Sequence, residues 1–444
     1  MPGRKKAASV PFLQFFVLLA VVAFLLGRYS LQRNYYQYPP LPRSVDVIVL
    51  GSGIAGATAA LSAAEAGVDV LYLFQDKPDK GGFPAFSPAF WVSGAPVQRE
   101  AKLDYQPETM AAAIYERTQE TGDVNLILSL SERSSLSLAW LENKTGVNFS
   151  VFAEQESNPG LLLPQRGEAA EFVNQALAEQ MAASAVESSS SLRPLQLLIE
   201  NARVQGLIVQ AQDGGRQKIF ARAIILADGG YGANQALLAE LAGIGEVTAR
   251  PEGGHYGTGL LLAMAAGAKT SHLDSVTLLP VFLPAGETLS KEVFQAAVVI
   301  NTRGEKIVPG DDPAQTIIDA GGRLYIIHGS QTPQTGRNFN QLKDVQTLAS
   351  ALGLEPEKTA DLVMELIAPY YVAVAATVAL TPGGLAVDRQ MRVLAAEGAI
   401  GGLYAAGEIT AGIHGNRAIS SLFFSEAITT GLIAGEQAAA WARR

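Results

Sequence analysis

The sequence predicts an α/β fold of the doubly wound, dinucleotide-binding kind, and three observations support this prediction. A short β-branched run is followed directly by a glycine-rich turn, an alanine-rich stretch and a second apolar run. That order is typical of a strand, a turn, a helix and a second strand. The chain contains 44 glycines and only 17% charged residues. Its 444 residues suit two or three domains.

The composition excludes several classes of protein. The chain has no cysteine, so we expect no disulfide, no thiol nucleophile, no iron–sulfur cluster and no metal site. The net charge of −9 argues against a phosphate-backbone partner, and we expect no nucleic acid.

The amino-terminal segment predicts a single membrane anchor. No charged residue occurs in the 21 positions between Lys6 and Arg28, and residues 10–27 are almost all apolar. As a helix they would measure about 30 Å, the thickness of a bilayer core. A basic tail (1–9) precedes this span and a linker (28–44) follows it, which predicts a catalytic body on the extracytoplasmic side of the membrane. A buried core helix and a cleaved signal peptide are the alternatives.

The first nucleotide-binding signal lies directly after the linker. Residues 45–50 predict a strand, 51–56 carry the pattern Gly-x-Gly-x-x-Gly, 55–66 predict a helix and 68–74 predict a second strand. In this context the glycines let the backbone approach a pyrophosphate at a helix amino terminus. Gln75 stands where a ribose-binding acid is expected, so we predict a weakened adenosine site. A merely tight strand-to-helix turn is the alternative.

Four further segments follow in order along the chain. The first combines Gly81-Gly82 with Ser87 and Trp91, and the second is a strand that ends in Ala227-Asp228-Gly229-Gly230. The third is Gly257-Thr258-Gly259. The fourth, residues 402–435, contains Gly407-Glu408 and His414-Gly415-Asn416-Arg417.

On these residues the chain resembles the flavoprotein family of soluble fumarate reductases, succinate dehydrogenase flavoprotein subunits and 3-ketosteroid dehydrogenases, and it is closer to the ketosteroid branch. Where the family has Ala-Thr-Gly-Gly and Gly-Asp-Gly, this chain has Asp228 in the threonine position and Thr258 in the aspartate position. The resemblance implies a Rossmann-like FAD-binding domain in two parts (45–272 and 370–444) and an inserted, smaller α+β cap domain (273–369). FAD would be bound non-covalently, because no histidine lies near Gly81.

The resemblance also implies which residues contact the cofactor. The expected contacts are Gly51, Gly53, Ile54, Ala55, Gly56, Gln75, Gly81, Gly82, Ser87, Ala227, Gly229, Gly230, Gly407, Glu408, Ser421 and Leu422. A long helix is predicted from Ser420 to Arg443. Its amino terminus would favour negative charge on a reduced flavin.

The substrate residues depart from the fumarate reductase pattern. Lys306 stands in the place of the arginine that fumarate reductases of the family use as an acid. The family's substrate histidines are absent around residues 279–281 and 379–380. The ketosteroid-like alternative makes Tyr371 the candidate base, with Tyr370 beside it. The expected catalytic residues are therefore Tyr371, Arg417 and Lys306, and the expected substrate residues are Tyr370, Gly383, Gly384 and His414.

Each of these residues has a structural alternative. The two tyrosines could simply wall the flavin, and Lys306 could be a solvated loop lysine. Arg417 could hold a flavin phosphate or form a structural ion pair, and His414 could order the flavin loop.

The predicted function is hydride transfer between flavin N5 and a carbon–carbon bond next to a carbonyl or carboxyl group. The substrate would be a small molecule, as in 3-ketosteroid dehydrogenases or in enoate and fumarate reductases. Because the chain has no cysteine for a cluster, an external electron carrier or a quinone must exchange the electrons. A degenerate flavin-binding protein without turnover is the main alternative, and a nicotinamide dehydrogenase is a weaker one.

Overall fold

The computed structural model describes residues 43–74, 89–151, 160–165, 169–245, 247–248, 254–283, 288–331, 339–419 and 421–444. The strands are β1 (Arg43–Leu50), β2 (Val70–Leu73), β3 (Phe90–Trp91), β4 (Phe149–Val151), β5 (Leu161–Pro164), β6 (Glu187–Ser189), β7 (Arg193–Glu200), β8 (Arg203–Gln210), β9 (Arg216–Leu226), β10 (Thr270–Ser271), β11 (Thr277–Leu283), β12 (Val298–Asn301), β13 (Lys306–Ile307), β14 (Arg323–His328), β15 (Asn340–Leu342), β16 (Tyr370–Leu380), β17 (Gly384–Leu385), β18 (Arg392–Ala395) and β19 (Gly398–Ala405).

The helices are α1 (Ile54–Glu65), α2 (Pro96–Glu100), α3 (Pro107–Arg117), α4 (Val124–Thr145), α5 (Ala169–Ala183), α6 (Gln235–Ala242), α7 (Thr258–Ala265), α8 (Lys291–Gln295), α9 (Pro313–Asp319), α10 (Val345–Leu352), α11 (Pro356–Leu362) and α12 (Phe423–Ala442). A short 3₁₀ helix covers Gly407–Ile409.

The larger sheet has eight strands in the order β18-β19-β8-β9-β1-β2-β6, with β7 paired to β8. Strands β1 and β2 are parallel, with Val47 opposite Val70, and β19 runs parallel to β9. Strand β1 is apolar and almost fully buried from Val47 onward, as expected for a parallel strand covered on both faces. The mixed α/β fold predicted from the sequence is therefore confirmed.

The long helix α12 packs directly on α1. A Cβ atom at Gly431 would lie 2.7 Å from the carbonyl oxygen of Ala55, and one at Gly435 would lie 2.5 Å from that of Ala59. Because only glycine permits this separation, the two helices approach at backbone distance. The contact places the third turn of α12 beside the first turn of α1, and the two helices run in the same direction.

A second sheet of six antiparallel strands has the order β11-β16-β14-β12-β13, with β15 also paired to β16. It has its own apolar clusters, one around Phe282 and Phe294 and one around Leu348 and Tyr370. Residues 370–380 form one strand of this sheet, although we expected the FAD-binding part to resume at residue 370. The limits of the two domains stay a prediction.

The local predictions around the first turn are confirmed, since β1, α1 and β2 lie where the sequence places them. Helix α12 begins at Phe423, three residues later than predicted. The expected tail, anchor and most of the linker (1–42) lie outside the described residues. Within the described ranges no helix is long and apolar enough to cross a bilayer.

Candidate active site

The glycines after β1 have three different roles in the turn. A Cβ atom at Gly51 would lie 2.0 Å from the carbonyl oxygen of Ala227, and one at Gly56 would lie 2.3 Å from the carbonyl oxygen of Gly51. Gly51 therefore lets the turn pack closely against the end of β9, and Gly56 lets α1 pack closely against the turn. At Gly53, by contrast, no atom of the other described residues, its chain neighbours aside, lies within 4 Å of the Cβ position. The middle glycine faces open space, which is the place for a phosphate beside the helix start.

An open cavity begins at this turn and contains about 1000 Å³ of space free of protein atoms, including solvent. Several separate segments form its wall: the glycine turn, the ends of β2 and β9, the start of β7, the loop before α7, the 3₁₀ turn and α12. The residues that line the cavity include Gly51, Gly53, Ile54, Ala55, Phe74, Ala227, Asp228, Gly229, His255, Tyr256, Thr258, Gly407, Glu408 and Phe423.

The residues of the cavity fit a flavin dinucleotide. Helix α1 has Gly53 as its N-cap, a residue that provides no side-chain hydrogen bond to the free N–H groups of the first turn. The N-cap of α12, Leu422, likewise provides no side-chain hydrogen bond. Uncapped helix starts stabilise phosphate and other negative charge. With the open space at Gly53, the wall offers a place for a pyrophosphate and for an electron-rich ring.

Glu408 forms a buried polar corner of the cavity. Its Oε1 accepts hydrogen bonds from the backbone N–H and from the hydroxyl of Thr381, each at 3.2 Å. Its Oε2 lies 3.3 Å from Nδ1 of His255, and both side chains are less than 10% exposed. Thr381 follows the last residue of β16. The corner therefore joins the cavity to one end of the second sheet.

Asp228 is a second acid in the wall. Its Oδ2 accepts a hydrogen bond of 2.7 Å from the backbone N–H of Gly259, at the start of α7. Its Oδ1 is buried and has no hydrogen-bond partner among the described residues. Burial raises the pKa of this carboxyl to about 6, while the N–H of Gly259 and the nearby His255 act in the opposite direction.

His414 is buried and both of its ring nitrogens are engaged within the protein. Nδ1 accepts a hydrogen bond of 3.1 Å from the backbone N–H of Ile419, so Nδ1 carries no proton. The proton is then on Nε2, which donates to the carboxylate of Glu426 at 3.0 Å. The ring also stacks on Phe423 at a centroid distance of 4.1 Å. His414 therefore positions a wall residue and has no nitrogen left for a substrate, which corrects our expectation.

Ser421 does not cap the long helix. Its Oγ accepts a hydrogen bond of 3.0 Å from the indole N–H of Trp91, and the Oγ of Ser425 accepts one of 2.6 Å from the backbone N–H of Trp91. Two serines thus fix Trp91 against the first turn of α12. Ser421 and the buried Leu422 lie next to the cavity rather than in its wall.

Most of the predicted cofactor residues come together. Eight of them line the cavity: Gly51, Gly53, Ile54, Ala55, Ala227, Gly229, Gly407 and Glu408. Gly56 and Gly230 pack behind them, Gly56 on the glycine turn and Gly230 on Thr381. Gln75, Gly81, Gly82 and Ser87 lie outside the described residues. The binding role of each residue remains a proposal.

Tyr370 and Tyr371 do not reach the cavity. Strand β16 runs unbroken over eleven residues, and its last residue precedes Thr381, the partner of Glu408. At a rise of about 3.3 Å per residue, Tyr371 lies about 30 Å from that corner. Tyr370 is buried in an apolar cluster of the second sheet, and Tyr371 pairs across strands with His328 and Gln341. The expectation that these tyrosines act at the flavin is therefore wrong.

The remaining predicted substrate residues separate into two groups. Lys306 is exposed on β13, the edge strand of the second sheet, and does not line the cavity. Gly383 and Gly384 are buried just after Thr381, and a Cβ atom at Gly384 would lie 2.0 Å from the carbonyl oxygen of Ile409. They therefore lie beside the 3₁₀ turn of Glu408.

Arg417 is exposed in the loop between His414 and α12. The next residue, Ala418, donates its N–H to the hydroxyl of Thr277 at 3.1 Å. Thr277 begins β11 and pairs with Leu380 at the end of β16. The guanidinium thus belongs to a loop that meets the second sheet at its Thr381 end, next to the polar corner.

Several wall residues could not be recognised from the sequence, because His255, Phe423 and Thr381 belong to no nucleotide-binding motif of their own. Asp228 did carry a signal, because an acid replaces a hydroxyl in the strand-Gly-Gly turn.

Comparisons with known proteins agree with this fold and cavity. The chain is 25% identical to the fumarate reductase (cytochrome) of Shewanella frigidimarina over 90% of its own length and 78% of that protein. It is 26% identical to the NADH:acrylate oxidoreductase of Vibrio harveyi over 71% of this chain but only 37% of that protein.

Solved structures are similar as well. An open conformation of a flavocytochrome c3 fumarate reductase superposes with a TM-score of 0.78 at 23% identity, covering 94% of this chain and 81% of that one. A 3-ketosteroid-Δ4-(5α)-dehydrogenase from Rhodococcus jostii RHA1 gives a TM-score of 0.62 at 22% identity, covering 91% and 98%.

With the family match and these relatives, the chain is an FAD-dependent oxidoreductase of the class that acts on CH–CH bonds. Its fold is shared by a fumarate reductase and a ketosteroid dehydrogenase. The sequence model of the FAD-binding domain family matches residues 46–423. The chain belongs to that family. The predicted resemblance and the FAD cofactor are therefore confirmed.

Proposed function

We propose that this protein exchanges a hydride with a carbon–carbon bond next to a carbonyl or a single carboxyl group, as in enoate reduction or ketosteroid dehydrogenation. Bound FAD would carry the two electrons. Reduction of a double bond then uses one hydride from the reduced cofactor and one proton from solvent, and dehydrogenation is the reverse.

This proposal is supported by the residues at the end of the second sheet, next to the polar corner of Glu408. Ala379 and Leu380 are fully buried and stand where the resembling fumarate reductases have histidines. Two carboxylates require several fixed cations, and the predicted cations here are Arg417, beside this end, and Lys306, on the far edge strand. The positive charge at this end of the sheet therefore suits a substrate with one carbonyl or carboxylate group better than a dicarboxylate.

Arg417 is the residue that we propose holds the substrate oxygen. The hydrogen bond between Ala418 and Thr277 fixes its loop to β11, and the adjoining turn Thr381–Gly384 offers backbone groups on the other side of the same corner. Buried apolar side chains of Val378, Ala379 and Leu380 form that end of β16. An apolar body with one polar oxygen would complement these surroundings.

The test compares two arginines in steady-state assays with a panel of monocarboxylate enoates, 3-ketosteroids and fumarate. Arg417→Ala should raise KM at least about tenfold for the accepted substrate, which is the loss of one charge-assisted contact. Arg389→Ala is the matched control, since Arg389 is also exposed but pairs with Glu132. Equal KM values in the two variants would contradict the role of Arg417. Bound FAD without turnover of any substrate would instead support the degenerate-protein alternative.

We also propose that residues 10–27 anchor the protein in a membrane with the catalytic body on the extracytoplasmic side, and that a quinone or a carrier protein exchanges its electrons. The uncharged stretch of 21 residues supports the anchor, and the absence of cysteine supports an external electron partner. Release of the full chain from membranes by high-pH carbonate, without detergent, would contradict the anchor.

A further inference from the structure

Arg417 lies between two residues whose backbone N–H groups are both bound by threonine hydroxyls. Asn416 donates to Oγ1 of Thr121 at 3.0 Å, and Ala418 donates to Oγ1 of Thr277 at 3.1 Å. Thr121 belongs to the loop between α3 and α4, and Thr277 begins β11 of the second sheet. The loop that carries the arginine is therefore held on both sides, by two different elements.

The contact with Thr121 is closely packed. A Cβ atom at Gly415 would lie 2.2 Å from Oγ1 of Thr121, and Gly415 has a φ of 59°, so glycine is the residue that fits this position without strain. The hydroxyl of Thr121 donates to the carbonyl oxygen of Thr118 at 2.6 Å, which leaves its lone pairs for the N–H that it accepts. Two residues further on, Asp123 donates its N–H to the carbonyl oxygen of Gly412 at 2.8 Å. The two loops thus meet at backbone distance.

The other backbone donors of the arginine loop are bound within the loop itself. Arg417 donates its N–H to the carbonyl oxygen of His414 at 3.2 Å, and Ile419 donates to Nδ1 of the same histidine at 3.1 Å. The buried His414 is fixed in turn by Glu426. Together with the two threonine contacts, these bonds satisfy every backbone N–H from 415 to 419. A loop with all its donors bound has one preferred conformation, and the threonines tie that conformation to other elements.

We propose that Thr121 and Thr277 are positioning residues for Arg417, which hold the backbone on either side of the arginine so that its guanidinium meets the substrate oxygen in one orientation. The inference rests on the proposed role of Arg417 and extends it to two residues outside the cavity wall. A charged group that is fixed before binding reduces the ordering cost of binding. Because one threonine belongs to the second sheet and the other to the loop before α4, displacement of either element would move the arginine.

The kinetic test uses the holoenzyme and the accepted substrate of the arginine assay. Thr121→Val and Thr277→Val each remove one hydroxyl and keep a similar shape, while Thr121→Ser and Thr277→Ser keep the hydroxyl. Thr145→Val is the matched control. The hydroxyl of Thr145, at the end of α4, also donates to a carbonyl (Leu141, 2.7 Å) and also accepts a backbone N–H (Val147, 3.2 Å). The flavin absorbance of each variant shows that it has folded and holds FAD.

Each valine variant should raise KM at least about threefold, as the loss of one hydrogen bond suggests, with kcat within about twofold of the wild type. The serine variants and Thr145→Val should stay within about twofold of the wild type in both constants. In the Arg417→Ala background the same valine changes should have no further effect on KM, because a residue that acts through Arg417 then has nothing left to position. A further rise of KM in that background, or wild-type KM in both valine variants, would overturn the proposal.

A second measurement needs no turnover and separates this inference from the proposed function. Hydrogen exchange of residues 412–419 in the folded protein, followed by mass spectrometry, should be at least about fivefold faster in both valine variants and unchanged in Thr145→Val. Unchanged exchange in the valine variants would show that the threonines do not hold the loop, whatever the substrate is, and would overturn the inference. Wild-type KM in Arg417→Ala would instead refute the proposed role of Arg417 and leave the exchange result unaffected.

Discussion

Replacement of Asp228 by asparagine should stabilise the apoprotein at neutral pH. Burial raises the pKa of Asp228 from 3.8 to about 6, so the folded state binds a proton more tightly than the unfolded state does. At about 1.4 kcal/mol per pKa unit, ionisation of Asp228 costs about 3 kcal/mol of folding free energy above pH 6. Asparagine keeps the shape and the hydrogen bond from Gly259 but carries no charge.

The sign of the pH dependence follows from the raised pKa. Well below pH 4 the carboxyl is protonated in both states, and the wild type and Asp228→Asn should be equally stable. As pH rises from 4 through 6, the wild type should lose stability relative to the variant, and above 6 the difference should stay constant. The nearby His255 acts to lower the pKa of Asp228. Replacement His255→Asn should therefore enlarge the difference in stability between Asp228 and Asp228→Asn proteins.

Urea unfolding of the two apoproteins between pH 4 and pH 8 measures this difference directly. We expect Asp228→Asn to be more stable by about 3 kcal/mol at pH 7.5 and by less than about 1 kcal/mol at pH 4. An asparagine variant that is less stable at pH 7.5, or a difference that does not vary with pH, would refute the argument from burial.

The remaining predictions concern the glycine turn and His414, which packs against the wall residue Phe423. Gly53→Ala should leave apoprotein stability within about 1 kcal/mol, because Gly53 has a φ of −80° and open space at its Cβ position, but it should abolish FAD binding in a titration. Gly56→Ala should instead lower apoprotein stability by about 1–3 kcal/mol in urea unfolding, because its Cβ would overlap the carbonyl oxygen of Gly51; unchanged stability would contradict that packing. Glu426→Ala should cost about 3 kcal/mol in the same assay, because it leaves the buried Nε2–H of His414 without an acceptor, and a neutral effect would argue against the assigned tautomer.

The unit β1-turn-α1-β2 could be predicted from the sequence because its determinants are local. The apolar run of β1, the three glycines and the alanine-rich helix follow one another within about 25 residues. Gly51 and Gly56 also have a steric reason in the packing of the turn, whereas Gly53 leaves open space at the helix start. The later motifs then predicted the cofactor class, because several motifs far apart in the chain occur in the expected order.

The substrate residues could not be predicted in the same way because their positions depend on long-range geometry. The sequence of residues 370–380 suggests a strand but does not reveal that it is unbroken, and this continuity is what carries Tyr371 away from the cavity. His414 has the residue type of a substrate ligand. Only the positions of Ile419 and Glu426 show that both of its nitrogens are occupied.

The start of α12 was missed for a similar reason. Ser421 is a typical N-cap residue, and nothing in its neighbourhood along the chain indicates otherwise. Trp91, which lies 330 positions away, takes its hydroxyl. The helix consequently begins at Phe423 without a side-chain cap.

Hydride exchange with a carbon–carbon bond next to one carbonyl or carboxyl group can be measured by reducing the bound flavin with light under anaerobic conditions and mixing it rapidly with single oxidants. We predict that a monocarboxylate enoate or a 3-keto-4-ene steroid reoxidises the flavin stoichiometrically, and that fumarate does so at least 100-fold more slowly. Mixing the reduced protein with a quinone alone tests the proposed electron partner separately. Rapid reoxidation by fumarate, or no reoxidation by any unsaturated carbonyl or carboxyl compound, would contradict the claim.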